Sequence, residues 1–234
     1  MDWKKDKLYT SEEYLRMLQS IHDNLDTYYA WGAIGSPANK KNRDRYGVPA
    51  APPSSFLFDC SGYAYKAIPL GFTGDKNRTY GGADPGKAMD LFNCNDILKY
   101  CSDVSTDFSK MEPCEVLYME GHVGIYRGEG TALECTSSWE NGVQITQVDN
   151  CKIPTSCKHS RTWLKHGKLP FIIYKEETTS KPDTEPVYTT ARLAEGLIRI
   201  ARRCGISLED IKRLNPNIKG PVYLVRYGQK VRIK

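Results

Sequence analysis

Helical periodicity appears first behind Ser11-Glu12-Glu13, where Tyr14, Leu15, Leu18, Ile21 and Leu25 form one apolar stripe after a capping candidate. The stripe predicts a first helix ending near Tyr28 and Tyr29, with His22 on its surface or seam. Residues 36–55 are rich in proline and carry a Lys/Arg cluster, so they read as a surface loop. After Phe56-Leu57-Phe58, the run Asp59-Cys60-Ser61-Gly62-Tyr63-Ala64 reads as a helix capped by Asp59, with Cys60 in its first turn.

From Glu115 the pattern changes to short apolar runs separated by Gly and Asn-Gly turns: 116–119, 122–126, 131–135, 142–146 and 171–174. Such connections predict an antiparallel meander. Residues 176–186 contain no apolar residue except proline and read as a linker. Beyond it, Val187-Tyr188-Thr189, a helix around Leu193 to Ala201, a second helix capped by Ser207 with Asp210 at the capping-box position, and Lys230 to Ile233 predict a small β-α-α-β unit. The expected division is residues 1–175, linker 176–186 and residues 187–234.

Composition suits folded domains: 234 residues, 40% hydrophobic and 26% charged. No run of eighteen apolar residues occurs and the start is charged, so neither a membrane span nor an ordinary secretory signal is expected. The net charge of +5 is uneven, because residues 187–234 hold eleven basic against three acidic residues. That folded basic surface lacks an aromatic-interleaved stripe or a reading helix, so nucleic acid is not expected as a partner. The Gly-rich pieces lack a phosphate-loop Lys-Ser/Thr ending, which argues against nucleotide binding.

Eight cysteines are too few for a dense disulfide framework, and free thiols are the default, although Cys94 with Cys101 or Cys151 with Cys157 are spaced for cross-linking. No cofactor or metal is expected. At a helix start, unpaired N–H groups and the partial positive charge favour a thiolate, which makes Cys60 a candidate nucleophile. His122, opening a strand, is the candidate base, and Glu134 on the next strand is the candidate group to fix its tautomer. His159 and His166 lie among lysines and arginines and read as satisfied surface residues.

Phe58-Asp59-Cys60-Ser61-Gly62 is similar to the F-D-C-S-G signature of the NlpC/P60 cysteine peptidases, and Gly121-His122-Val123-Gly124-Ile125-Tyr126 resembles their G-H-V-G-I-Y strand. Tyr29-Ala30-Trp31-Gly32 resembles their Y-x-W-G-G segment, with Ala33 in place of the second glycine. The resemblance, over about residues 11 to 175, implies an α+β, papain-like core in which N-terminal helices pack on an antiparallel sheet. It implies hydrolysis of bacterial stem peptides, commonly between D-glutamate and a diamino acid, with Cys60 as nucleophile and His122 as base. Asp59 and Ser61 would shape the helix start, and Tyr29 and Trp31 join them as expected substrate-binding residues. The third polar residue of the family is usually a histidine; here the position holds Glu134. The long 33–55 loop and the Gly71-to-Gly86 region are departures that would line the cleft.

The C-terminal segments Leu197 to Ser207, Leu214-Asn215-Pro216-Asn217-Ile218 and Tyr227 to Ile233 resemble LysM, a peptidoglycan-binding module, which implies an N-acetylglucosamine-containing glycan as ligand. Ala194-Glu195-Gly196 departs from its usual G-D-T. The expectation is therefore a two-domain peptidoglycan hydrolase made in the cytoplasm and acting at the bacterial cell wall, as a phage or prophage endolysin would. An N-acetylmuramoyl-L-alanine amidase using the same cysteine and histidine, and an inactive wall-binding or assembly protein, are the alternatives.

Overall fold

The computed structural model describes residues 8–86, 92–174, 188–190, 197–218 and 229–233. The expected linker, the Ala194-Glu195-Gly196 departure and the Tyr227-Gly228 start of the last LysM-like segment lie outside the described residues. The chain divides into two compact units, Met1–Lys175 and Glu176–Lys234.

The first unit begins with β1 (Tyr9–Thr10) and α1 (Ser11–Asn24). The cap of α1 is Thr10, one residue before the expected Ser11, in a reciprocal capping box with Glu13. The helix also stops earlier than expected: Leu25 turns extended, and β2 (Thr27–Tyr29) takes the β-branched and aromatic residues read as helical. The 36–55 segment is likewise more ordered than a loop. It contributes to β3 (Ile34–Pro37) and forms α2 (Lys40–Tyr46), capped by Asn39 and ended by Gly47 in the left-handed region.

β4 (Phe56–Phe58) lies between β2 and β3 in a three-stranded sheet and delivers the chain to Asp59. A helical turn starts at Cys60 and widens into a π-helix over Gly62–Lys66, where the Ala67 N–H reaches back five residues to the Gly62 carbonyl at 2.8 Å. Single π turns of this kind recur at functional sites. Buried tyrosines join this segment to α1: the Tyr14 hydroxyl donates to the Ala64 carbonyl and Tyr63 to that of Leu18, each at 3.0 Å.

A larger sheet follows, made from β5 (Ser102–Ser105), β6 (Val116–Met119), β7 (His122–Gly128), β8 (Thr131–Thr136), β9 (Gly142–Val148), β10 (Ser160–Arg161) and β11 (Lys165–Lys168), in the order β10-β9-β8-β7-β6-β11-β5. β6 through β9 form the expected antiparallel meander, whereas β10 joins β9 in parallel. The turn between β7 and β8 has Glu129 at φ 52° and Gly130 at φ 72°, consecutive left-handed residues that match the twist of a tight hairpin. Finally, β12 (Ile172–Ile173) runs parallel to β1. The core between helix and sheet is built from Leu18, Ile21, Phe58, Tyr63, Val123, Ile125, Leu133 and Phe171. The first unit is thus α+β, with helical segments packed on a largely antiparallel sheet.

In the second unit, β13 (Tyr188–Thr190) pairs antiparallel with β14 (Lys230–Arg232), and α3 (Leu197–Cys204) and α4 (Leu208–Leu214) lie between them in sequence. Leu197, Ile200, Ala201, Ile211 and Val231 make its core. Ser207 caps α4, accepting from the Asp210 N–H at 3.0 Å, as its spacing predicts. Asn215 fixes the last strand from both sides: its amide donates to the Arg232 carbonyl at 2.7 Å and its oxygen accepts the Arg232 N–H at 2.8 Å.

Candidate active site

The Asp59 cap is built as its position predicts, and both carboxylate oxygens are committed to it. Oδ1 accepts the Gly62 N–H and the Ser61 hydroxyl, and Oδ2 accepts the Gly32 N–H at 2.9 Å. One side chain therefore ties the Cys60 turn to the turn that follows β2. The glycine of the signature has its own reason: a Cβ at Gly62 would drive into the Ala33 carbonyl oxygen, which also accepts the Asp59 N–H. Gly32 needs its φ of +77°, while Ala33, outside the left-handed region, tolerates a methyl group. Asp59 and Ser61, expected both to shape the helix start and to bind substrate, are buried with their side chains engaged in this cap.

Cys60 is 5% exposed. Its thiol is pushed up to about 12, first by burial and then by the Asp59 and Cys94 charges, against backbone hydrogen bonds from Val123 and Ser61. The expected lowering by the helix start is outweighed, so the resting group is a protonated thiol. The Val123 contact is a landmark, because it sets the sulfur beside the residue that follows His122 on β7. Half-buried Tyr29 packs against the core cluster that includes Cys60 and is also pushed up to about 12, by burial first and then by Cys60 and Asp59. Trp31 stands on a surface turn, 82% exposed.

Across the sheet, His122 Nε2 lies 2.7 Å from Glu134 Oε2. Glu134 is fully buried and also accepts from the Thr146 hydroxyl at 2.6 Å and from Arg161 Nε at 3.0 and 3.2 Å, with Arg161 Nη2 2.9 Å from Oε2. Burial alone would raise this carboxyl. Hydrogen bonds from His122 and Thr146 and the charges of His122 and Arg161 outweigh that cost and hold it below its ordinary value.

Strand register explains how four residues spread over forty positions meet. Ile125 pairs with Leu133, Glu134 with Gln144 and Arg161 with Val148. His122, Glu134, Thr146 and Arg161 are thus successive diagonal neighbours on β7, β8, β9 and β10, a relation within reach of long side chains. Trp163 backs the group, with its ring 5.6 Å from the His122 ring at 15° and 5.7 Å from the Arg161 guanidinium carbon. It fits there because Gly124 has no side chain; a Cβ would meet the Trp163 ring at 2.9 Å.

Sequence reasoning missed Thr146, Arg161 and Trp163. The twelve-residue spacing from His122 to Glu134 recurs from Glu134 to Thr146, which was a readable signal for Thr146, but Arg161 lay in a basic cluster that resembles any solvated surface. His166 requires correction. It is buried, with Nδ1 on Glu115 and Nε2 3.0 Å from the Asp107 carbonyl oxygen. All eight cysteines are free thiols, Cys94, Cys101, Cys151 and Cys157 included. Among the described residues, no group of three or more His, Cys, Asp or Glu is arranged to hold a metal ion, and no helix is long and apolar enough to cross a membrane.

The fold and site define an α+β protein in which a helix-borne thiol reaches the strand that carries an imidazole bound to a buried carboxylate. Among family profiles, residues 195–234 match the LysM domain, so the second unit is similar to that module. A solved structure of NlpC1 from Trichomonas vaginalis is similar at 14% identity and a TM-score of 0.38, over 68% of this chain and 44% of that one. The chain therefore spans less than half of that protein's length. No curated protein matches the chain.

Proposed function

We propose that the chain is a peptidoglycan hydrolase of the NlpC/P60 type, a cysteine endopeptidase held to the cell wall by its LysM-like unit. The observation that carries this reading is that the Cys60 thiol reaches the backbone of Val123, the residue after His122, whose own Nε2 is committed to an ionised, buried Glu134. Nδ1 is then the nitrogen that takes the proton. Because burial keeps Cys60 protonated at rest, catalysis starts with transfer of the thiol proton to His122 as a substrate carbonyl arrives. Sulfur bonds to the carbonyl carbon, and the collapse of that adduct expels the amine, which leaves with the proton from His122. Water, deprotonated by the same imidazole, then releases the acid and restores the thiol.

The substrate assigned to this chemistry is the stem peptide, cut between D-glutamate and a diamino acid, with Tyr29 and Trp31 contacting it. The LysM-like unit binds N-acetylglucosamine-containing glycan, and tethering raises the local concentration of catalyst on an insoluble polymer. Action at the wall, after release as an endolysin, completes the proposal.

Mass spectrometry of fragments released from purified peptidoglycan tests it. Products ending at D-glutamate, absent with Cys60→Ala, are expected. Intact stem peptides freed from muramic acid would make the protein an amidase, and equal release by Cys60→Ala would end the thiol mechanism.

A further inference from the structure

The Glu134 carboxylate carries, besides His122 and Thr146, a cationic partner that a thiol–imidazole–carboxylate site does not require. Arg161 reaches it from β10, the edge strand of the sheet, with Nε 3.0 Å from Oε2 and 3.2 Å from Oε1, and Nη2 2.9 Å from Oε2. Its remaining nitrogen, Nη1, lies 3.5 Å from the Met119 sulfur. The guanidinium carbon sits 4.8 Å from the Trp139 ring centre and 5.7 Å from that of Trp163, so the flat cation is held against two aromatic residues. Trp139 is itself stacked on His159, at 4.9 Å and 6°. A cation this constrained is not a solvated surface charge.

We propose that Arg161 is a positioning residue of the site: by neutralising Glu134 and gripping its oxygens, it fixes the direction in which the carboxylate holds His122 Nε2 and so aims Nδ1 at Cys60. This rests on the hydrolase reading above. Lysine would supply the charge without the directed Nε–H that both Glu134 oxygens accept, so charge and direction are separable by substitution. The titratable and charged groups that face Glu134 are His122 from β7 and Arg161 from β10. β9 contributes the uncharged Thr146, and Cys135, next along β8, is held protonated by burial.

The test uses the full chain, its Arg161→Gln and Arg161→Lys variants, and Cys60→Ala as control. The Glu134 carboxyl is titrated by carbon-13 NMR, and fragment release from peptidoglycan is followed against pH. Arg161→Gln is expected to raise the Glu134 midpoint by about one unit. It should move the acid limb of kcat/KM upward with it and reduce kcat about tenfold with KM little changed. Arg161→Lys should restore the midpoint and the limb but not the full kcat. An unmoved midpoint and limb in folded Arg161→Gln overturns the proposal even if the rate falls, and so does full rescue of kcat by lysine. If Cys60→Ala releases fragments at the wild-type rate, the thiol reading fails, while the carbon-13 titration and the Arg161→Lys comparison still decide whether Arg161 controls the carboxylate.

Discussion

Two histidines of the first unit sit on buried carboxylates, and they differ in what the second imidazole nitrogen does. His166 gives Nδ1 to Glu115 and Nε2 to the Asp107 carbonyl, so both nitrogens are engaged by the protein. His122 gives Nε2 to Glu134, and among the described residues none hydrogen-bonds its Nδ1. The carboxylates differ as well: Glu134 is countered by Arg161 and Thr146, whereas Glu115 spends its other oxygen on the Glu112 N–H at 3.0 Å. The same ion pair serves as a structural brace where both nitrogens are engaged, and as a candidate proton relay where, among the described residues, one nitrogen is left for a reacting group. Burial and pairing alone therefore do not identify a catalytic histidine.

Substitutions should separate the two pairs by kind as well as by size. Replacing His122 by alanine is expected to reduce fragment release by about 10³-fold, measured on purified peptidoglycan, while the folded state persists. His166→Ala should do the opposite, costing about 3 kcal/mol of unfolding free energy in urea titrations by leaving Glu115 buried without its partner, with the remaining folded molecules active. A smaller effect should link the regions through Gly124→Ala, whose methyl group displaces Trp163 from behind His122 and Arg161. About 2 kcal/mol of destabilisation with reduced activity is expected from such overpacking.

The pairs should also diverge with pH. Burial lowers the His166 value, but Glu115 and the Asp107 carbonyl outweigh it and hold the imidazole above its ordinary 6.5. Its stabilisation is then complete below about pH 6.5 and is lost as pH rises through the folded value. Glu134 lies below its ordinary 4.5, so its contribution is present above about pH 4.5 and is lost as pH falls through the folded value. The difference in urea midpoint between wild type and His166→Gln should shrink from pH 6 to pH 9, whereas that between wild type and Glu134→Gln should shrink on acidification below pH 4.5.

Features determined by neighbours in sequence were legible from the chain: the Asp59 cap, the β6-to-β9 meander, and the Ser207 cap. The His122–Glu134 pair was legible because a hairpin spacing brings the two residues together, and the place of Cys60 in a helical first turn was legible from the Asp59 cap. The end of α1 was misread because the apolar stripe continues to Leu25 and then into Tyr28 and Tyr29, residues that suit either structure until tertiary pairing with β4 decides. Arg161 and His166 were read as solvated because nearby charge resembles surface; only the pairing of β10 with β9 and of β11 with β6 puts them inside. The direction of the Cys60 shift also depends on packing, since the same helix start raises or lowers a thiol according to how much water reaches it.

The diagonal from His122 through Glu134 and Thr146 to Arg161 crosses four strands, and each step depends on side-chain parity. A one-residue slip between any two of them would send one member to the opposite face of the sheet. Such a molecule would still be compact and rich in strand, yet without turnover. On the proposed hydrolase reading, specific activity is in that sense a census of correctly registered chains, and a preparation that looks folded by circular dichroism but turns over slowly would point to slipped strands before it pointed to a damaged thiol.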